Sequence, residues 1–196
     1  MARASAAAAA QTARDVLDAG TELFTSRGFA EVSLEDVAQL AGVTRGAVYH
    51  HYRSKAGLLR AAAARLQADV AAAVVAAAEQ EETASAQLRA GCHAFLEAIT
   101  AAPAVRILLI DAPAVLGWTQ WRELDAQSSA PHLREALAAA GVAEELLDAM
   151  TAHLSGAMNE AALWVAERAR AGERDAARAR AAAHRSLDQL LAAVLG

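Results

Sequence analysis

Apolar and small residues recur at Ala13, Val16, Leu17, Gly20, Leu23 and Phe24, the spacing of one face of an α-helix. The pattern predicts a first helix over 13–27, ended at Gly28. Ser33 then offers a side-chain oxygen as an N-cap, with Asp36 as a shorter version of the usual capping-box glutamate, and a second helix covers about 34–40. Gly42 breaks it, Thr44 caps a third helix that ends near Tyr52, and Ser54 caps a fourth that meets no breaker until about Gln80. Further helices are predicted near 84–101, 104–110, 114–127, 131–140, 143–171 and 173–195, with Pro103, Pro113, Pro131, Gly141 and Gly172 between or beside them.

The expected fold is all-α. A three-helix head carrying a helix-turn-helix occupies 1–56, and a larger helical domain of 57–196 brings the total to about nine helices. Over half of the residues are apolar, with alanine far in excess and few β-branched runs that alternate with polar residues, which supports that class. At 196 residues the chain is long enough for one sizeable core or for a small domain attached to a larger one.

The net charge is −5, but it is unevenly spread: up to and including Arg65 there are 8 basic and 6 acidic residues, and after it 10 and 17. The balance is thus +2 followed by −7, which keeps the amino-terminal part a candidate for a polyanionic partner. A single cysteine, Cys92, excludes an internal disulfide and a zinc site built on paired thiolates. "MARASAAAAA" lacks the leucine-rich stretch of a signal peptide, and "VRILLIDAPAVLGW" is short and broken by Asp111 and Pro113. A soluble, cytoplasmic protein without a membrane span is expected.

Two short helices joined by a glycine-containing turn are the unit that places a second helix in the DNA major groove. Val37, Ala38 and Val43 are expected to face inward with Val48 and Tyr52, leaving the other face of the third helix free. Around that face stand groups suited to phosphate oxygens: the hydroxyls of Ser33 and Thr44, the phenol of Tyr49, the imidazole of His51 and the ammonium of Lys55, the one lysine of the chain. The adjacent His50 and His51 diverge by about 100° on a helix and cannot readily share one ion, so no metal is expected.

The stretch "SLEDVAQLAGVTRGAVYHHYRSKAGLL" resembles the DNA-binding domain of the TetR family of transcriptional regulators, with A-G-V-[ST]-x-G followed by Y-x-H-[FY]-x-x-K-x-x-L-L. "DAPAVLGW" and "MNEAALWVAE" are similar to segments of one subgroup of its effector domains. The resemblance implies that Arg45, Gly46 and Ala47 face base edges at the start of the recognition helix, and that Ser33, Thr44, Tyr49, His51 and Lys55 hold phosphates. Glu35 and Asp36 suit the helix dipole but oppose the DNA charge.

It further implies double-stranded DNA with a pseudo-palindromic operator, a homodimer formed by the last two helices, and a small-molecule effector. On the penultimate helix, Leu146, Met150, Leu154, Ala157, Ala161 and Val165 form one stripe beside the small residues Ser155, Gly156, Ala162 and Ala166. Leu187, Leu190, Leu191 and Val194 form another on the last. Either stripe serves a dimer or the monomer's own core.

For an effector, the polar and aromatic residues His93, Arg106, Trp118, Trp121, His153 and Asn159 lie in or near the apolar middle of the chain. That mixture describes a ligand pocket as well as a core with satisfied polar groups. The fourth helix, with Lys55 at one end and Leu66, Val70, Val74 and Val75 further on, belongs to both parts and offers a lever between them. The arginines from 168 to 185 alternate with Glu167, Glu173 and Asp175 and read as a solvated face.

No G-x-S-x-G, H-E-x-x-H, P-loop or Rossmann glycine pattern is present, and the neighbours Cys92 and His93 diverge on a helix, so an enzyme is not expected. No cofactor is expected either. The reading is a ligand-responsive DNA-binding regulator, commonly a repressor; the alternative is a helical dimerisation or partner-binding protein whose hairpin serves packing only.

Overall fold

The computed structural model describes residues 2–126 and 128–195, and among them finds helices and no strand. We number ten helices: α1 Ala2–Arg27, α2 Leu34–Leu40, α3 Arg45–Tyr52, α4 Lys55–Ala78, α5 Ala84–Thr100, α6 Ala104–Leu116, α7 Trp118–Ala126, α8 Ser129–Ala139, α9 Glu144–Ala169 and α10 Glu173–Leu195. The predicted boundaries hold within a few residues for most of the chain. α1 extends back to Ala2, and α8 starts at Ser129 because Pro131 is tolerated in a first helical turn, where its missing N–H has no intrahelical partner to lose.

Two expectations fail together at residues 104–127. The sequence predicts a break at Asp111 and Pro113, yet the chain stays helical to Leu116 and turns at Gly117 instead. Residues Ile107–Asp111 widen into a π turn, in which the Ala112 N–H donates to the Ile107 carbonyl, five residues back. The Leu108 carbonyl is thereby offered to residue 113, which is proline and has no N–H to give. Trp121 supplies the missing donor: its Nε1–H donates to the Leu108 carbonyl at 2.6 Å, and the indole is buried. Trp121 is thus spent on the backbone of α6.

α1 to α3 form the head. Val16, Phe24, Val37 and Val48 are fully buried in it together with Leu58 and Leu59 from the start of α4. Tyr52 closes its edge by donating its hydroxyl to the Ala13 carbonyl at 2.7 Å, and burial pushes that phenol's pKa up. α4 then leaves the head, fastened to α1 by the Arg65 guanidinium on Asp18 and on the Thr21 hydroxyl. Its 24 residues span about 36 Å, which carries it from the head into the body.

The expected interface stripes divide between two tasks. Leu154, Ser155, Ala162 and Val165 of α9 and Leu187 and Leu191 of α10 are buried inside this one chain, because the two helices pack on each other and on α5. Leu146 and Leu190 stay about half exposed, and Gly156 and Ala157 also face outward. A methyl placed on Gly156 would meet nothing within 4 Å.

Replacing Trp121 by phenylalanine keeps an aromatic ring, smaller than the indole, and removes the donor, leaving a buried carbonyl unpaired. Urea denaturation of Trp121→Phe is expected to show a loss of about 1–3 kcal/mol; a loss below about 0.5 kcal/mol would mean that the indole N–H is not needed there.

Candidate nucleic-acid interface and effector cavity

The second element of the helix-turn-helix is placed by local chemistry. Ser33 Oγ accepts the Asp36 N–H at 3.1 Å while Asp36 Oδ2 accepts the Ser33 N–H at 2.8 Å, so the capping box forms with aspartate in the glutamate's place. The Ser33 hydroxyl also donates to Asp36 Oδ2 at 2.6 Å, and this bond, with that of the Ser33 N–H, holds the Asp36 carboxyl below the usual carboxylate range. Gly42 takes φ +67°, the left-handed turn expected of it, and Thr44 Oγ1 accepts the Ala47 N–H at 3.2 Å to start α3. Val48 points into the core, which fixes the rotation of α3 and turns Arg45, Gly46 and Tyr49 outward.

Of the eight residues expected at the interface, Ser33, Thr44, Arg45, Gly46 and Tyr49 are exposed, and Ala47, His51 and Lys55 are half-buried. Tyr49 keeps 57% of its surface, unusual for an aromatic side chain without a partner surface. A methyl at Gly46 would meet only Thr44 Oγ1, at 3.7 Å, so the chain itself does not demand glycine there. Two contacts were not legible in the sequence. Arg45 Nε lies 3.8 Å from Glu35 Oε2, both side chains solvated, and Lys55 is engaged inside the protein. Its Nζ donates to the Phe29 carbonyl at 2.8 Å and to that of Ala30 at 3.4 Å, 4.3 Å above the Phe29 ring.

The same turn, residues 28–30, is gripped from the other side by α6. Asp111 Oδ2 accepts the Phe29 N–H at 3.2 Å and stands 3.6 Å from Arg106 Nε. Gly28 adopts φ +85°, and a Cβ there would lie 1.9 Å from Arg106 Nη2, so the glycine both ends α1 and admits the guanidinium. Arg106 and Asp111 are therefore joints between head and body.

A cavity of about 310 Å³ lies in the body between α4, α5, α8 and α9. Its walls are apolar: Val74 and Val75 of α4, Leu88 and Phe95 of α5, Leu133 of α8 and Met158 of α9. Ser129 and Ser155 are the buried polar residues among its lining, and Ser129 Oγ has no hydrogen-bond partner among the described residues. Glu79, His132 and Glu135 stand exposed at its rim, with no lysine or arginine among the lining residues. Cys92 also lines it, and burial pushes its thiol up to about 12.

None of the six residues expected to hold an effector lines this cavity, and each has another task or position. His93 hydrogen-bonds His184 and Asp188 on α10; Arg106 meets Asp111 and Gly28; Trp121 serves the Leu108 carbonyl. Trp118 is 67% exposed, with Arg122 over its ring, His153 is exposed on α9, and Asn159 is half-buried outside the lining. The residues that do line the cavity are mostly alanine, valine and leucine, which no sequence pattern separates from core.

Two family models cover most of the chain: the amino-terminal model of the bacterial tetR family of regulatory proteins over residues 16–62, and the tetracyclin repressor-like C-terminal domain over 85–194. This chain belongs to the TetR family. A solved TetR-family transcriptional regulator from Pectobacterium atrosepticum is 30% identical, with a TM-score of 0.73 and 94% of both chains covered. Among curated relatives, the regulator SrpR of Pseudomonas putida is 43% identical over 67 residues, which are 34% of this chain and 32% of SrpR. TtgR of the same species is 43% identical over 61 residues, 31% and 29% of the two chains. The match thus spans about a third of these curated relatives' length. The structure of RolR in complex with resorcinol, 16% identical with a TM-score of 0.65 over 92% of this chain and 89% of RolR, shares the TetR fold.

Burial of Cys92 makes a simple prediction. In the native protein at pH 8 the thiol stays protonated and reacts with iodoacetamide far more slowly than in urea-unfolded chain; native labelling at the unfolded rate would contradict its placement.

Proposed function

We propose that the chain is a homodimeric, ligand-responsive transcriptional regulator, a repressor released from its operator by a small apolar molecule, with residues 1–56 as the DNA-binding head and 57–196 as the effector-binding and dimerisation body. The observation that carries the reading is the outward face of α3, where Arg45, Gly46 and Tyr49 are exposed beside a helix start capped by Thr44. Arg45, Gly46 and Ala47 then meet base edges, with Arg45 in the bidentate contact to guanine that this side chain favours, and the free space around Gly46 admits DNA closely. Ser33, Thr44, Tyr49, His51 and Lys55 hold phosphates. Lys55 has a third N–H beyond the two donated to Phe29 and Ala30, so one ammonium joins the duplex to the 28–30 turn. The Glu35–Arg45 ion pair opens on binding.

Dimerisation uses the outward faces of α9 and α10, where Gly156, Ala157 and Leu190 allow close helix approach around a two-fold axis. Two recognition helices then read two half-sites. The effector occupies the cavity against Val74, Phe95 and Met158, and its polar group satisfies the unpaired Ser129 hydroxyl. The rim carboxylates Glu79 and Glu135 disfavour an anionic ligand. RolR, whose structure holds resorcinol, is a neighbour with a small ligand of this apolar, hydroxylated kind. Two links transmit occupancy to the head: α4, which lines the cavity with Val74 and carries Lys55 at its start, and α6, which holds the Phe29 amide through Asp111. A coupling of about 1–3 kcal/mol between the sites is expected.

Gel shift with DNA flanking the chain's own gene tests the reading. The parent protein is expected to retard it, Lys55→Ala to weaken binding to all sequences, and Arg45→Ala to blur the preference for the operator as well. Glu35→Gln removes a repelling charge and frees Arg45, and is expected to bind several-fold tighter at low salt, with the gain shrinking as salt rises. No retardation by the folded parent, or an Arg45→Ala variant as selective as the parent, would favour a partner-binding protein whose hairpin only packs.

A further inference from the structure

One group of titratable side chains is used neither by the head nor by the cavity. His93 of α5 and His184 of α10 lie with their rings stacked, centroids 4.8 Å apart, and their Nδ1 atoms 2.6 Å from each other. Each outer nitrogen meets a carboxylate: His93 Nε2 is 2.9 Å from Asp188 Oδ1, and His184 Nε2 is 2.5 Å from Glu97 Oε1. Arg89 stands 3.3 Å from Asp188 and Arg180 4.0 Å from Glu97. Among the described residues these four, two from α5 and two from α10, are the charged groups on the pair.

Proton counting fixes the charge of this arrangement. The hydrogen bond from His93 holds the Asp188 carboxyl below the usual carboxylate range, so Asp188 is ionised and can only accept. Glu97 Oε1, flanked by Arg180 and His184, is placed to accept from His184 Nε2. Both Nε2 atoms therefore donate. Two neutral rings would then set two Nδ1 lone pairs against each other at 2.6 Å, and two doubly protonated rings would set two N–H groups against each other. A single shared proton, Nδ1–H···Nδ1, with a proton on each Nε2, satisfies the observed contact.

We propose that His93 and His184 form a one-proton latch that fastens the last helix to α5 and opens when the pair gains a second extra proton or loses the shared one. Its position gives it leverage. On α5 the next residues round the helix, Gly91, Cys92 and Phe95, line the cavity, while α10 carries the outward Leu190. The latch therefore sits between the ligand wall and the helix that meets a second copy. Its effect on operator release rests on the regulatory reading above; its effect on folding does not.

In acid the unfolded chain carries both extra protons on these two histidines and the closed pair only one, so the unfolded state binds more and stability falls as the pH drops. Above the ordinary histidine range, near pH 6.5, the unfolded chain carries no extra proton and the closed pair still one, so stability falls again as the pH rises.

The test is urea unfolding of the full chain from pH 5 to 8.5, for the parent and for His184→Gln, which leaves one ring and no shared proton. The folding constant of the parent relative to the variant is expected to peak near the histidine range and to drop about tenfold per pH unit on its acid side. A ratio that is flat across the range, or that grows steadily into acid, would overturn the latch. Should His184→Gln not fold, nitrogen-15 spectra of the parent's histidine rings at pH 7 decide: one proton averaged over two Nδ1 atoms supports it, and two unprotonated Nδ1 resonances overturn it. DNA enters neither measurement, so failure of the regulatory reading leaves this result interpretable.

Discussion

The junction between the two parts depends on the backbone of three residues at the end of α1, where α4 and α6 both take hold. The turn 28–30 has no side-chain hydrogen bonds of its own to offer, and the rest of the protein reaches in to its backbone. Lys55 takes the carbonyls of Phe29 and Ala30, Asp111 takes the Phe29 amide, and Arg106 fills the space that only a glycine at 28 leaves open. A backbone donor and two acceptors that a free loop would leave to water are thereby tied to α4 and α6. Since α2 follows immediately and packs on α3, the placement of α3 depends on where those two helices stand. A small head and a much longer body thus meet at a turn that α4 and α6 both hold.

α6 is suited to that role by its irregularity. An ordinary helix through Pro113 would lose a hydrogen bond and clash with its own preceding turn. The π turn at Ile107–Asp111 absorbs the proline, and Trp121 repairs the carbonyl left over. Asp111, which caps the α1–α2 turn, is the last residue of the widened segment.

The head was legible in the sequence because its chemistry is local. Ser33 with Asp36, Gly42, Thr44 and Ser54 announce their helices within three or four residues, and the structure realises all four. The TetR resemblance follows from the same stretch, and the fold class from the alanine-rich composition and the helical spacing along the chain. The body was legible as helices but not as a site. Pro113 reads as a helix end unless the distant Trp121 is known to stand beside it. His93 reads as a ligand contact until His184, ninety-one positions on, is seen against it. The cavity walls, built from alanine, valine and leucine, carry no mark that separates lining from core. Part of the expected interface stripe closes the chain's own interior, because α9 and α10 each turn an apolar face to α5.

Amide hydrogen exchange on the full chain, comparing the parent with Asp111→Ala, tests the coupling most directly. If the turn joins head to body as described, the Phe29 amide is protected in the parent, and removing the carboxylate raises exchange at residues 28–32 and at the start of α3, with the core of the head around Val16 and Phe24 unchanged. Exchange at the turn and at α3 that is the same in both proteins would mean that α6 merely lies beside the head and does not hold it.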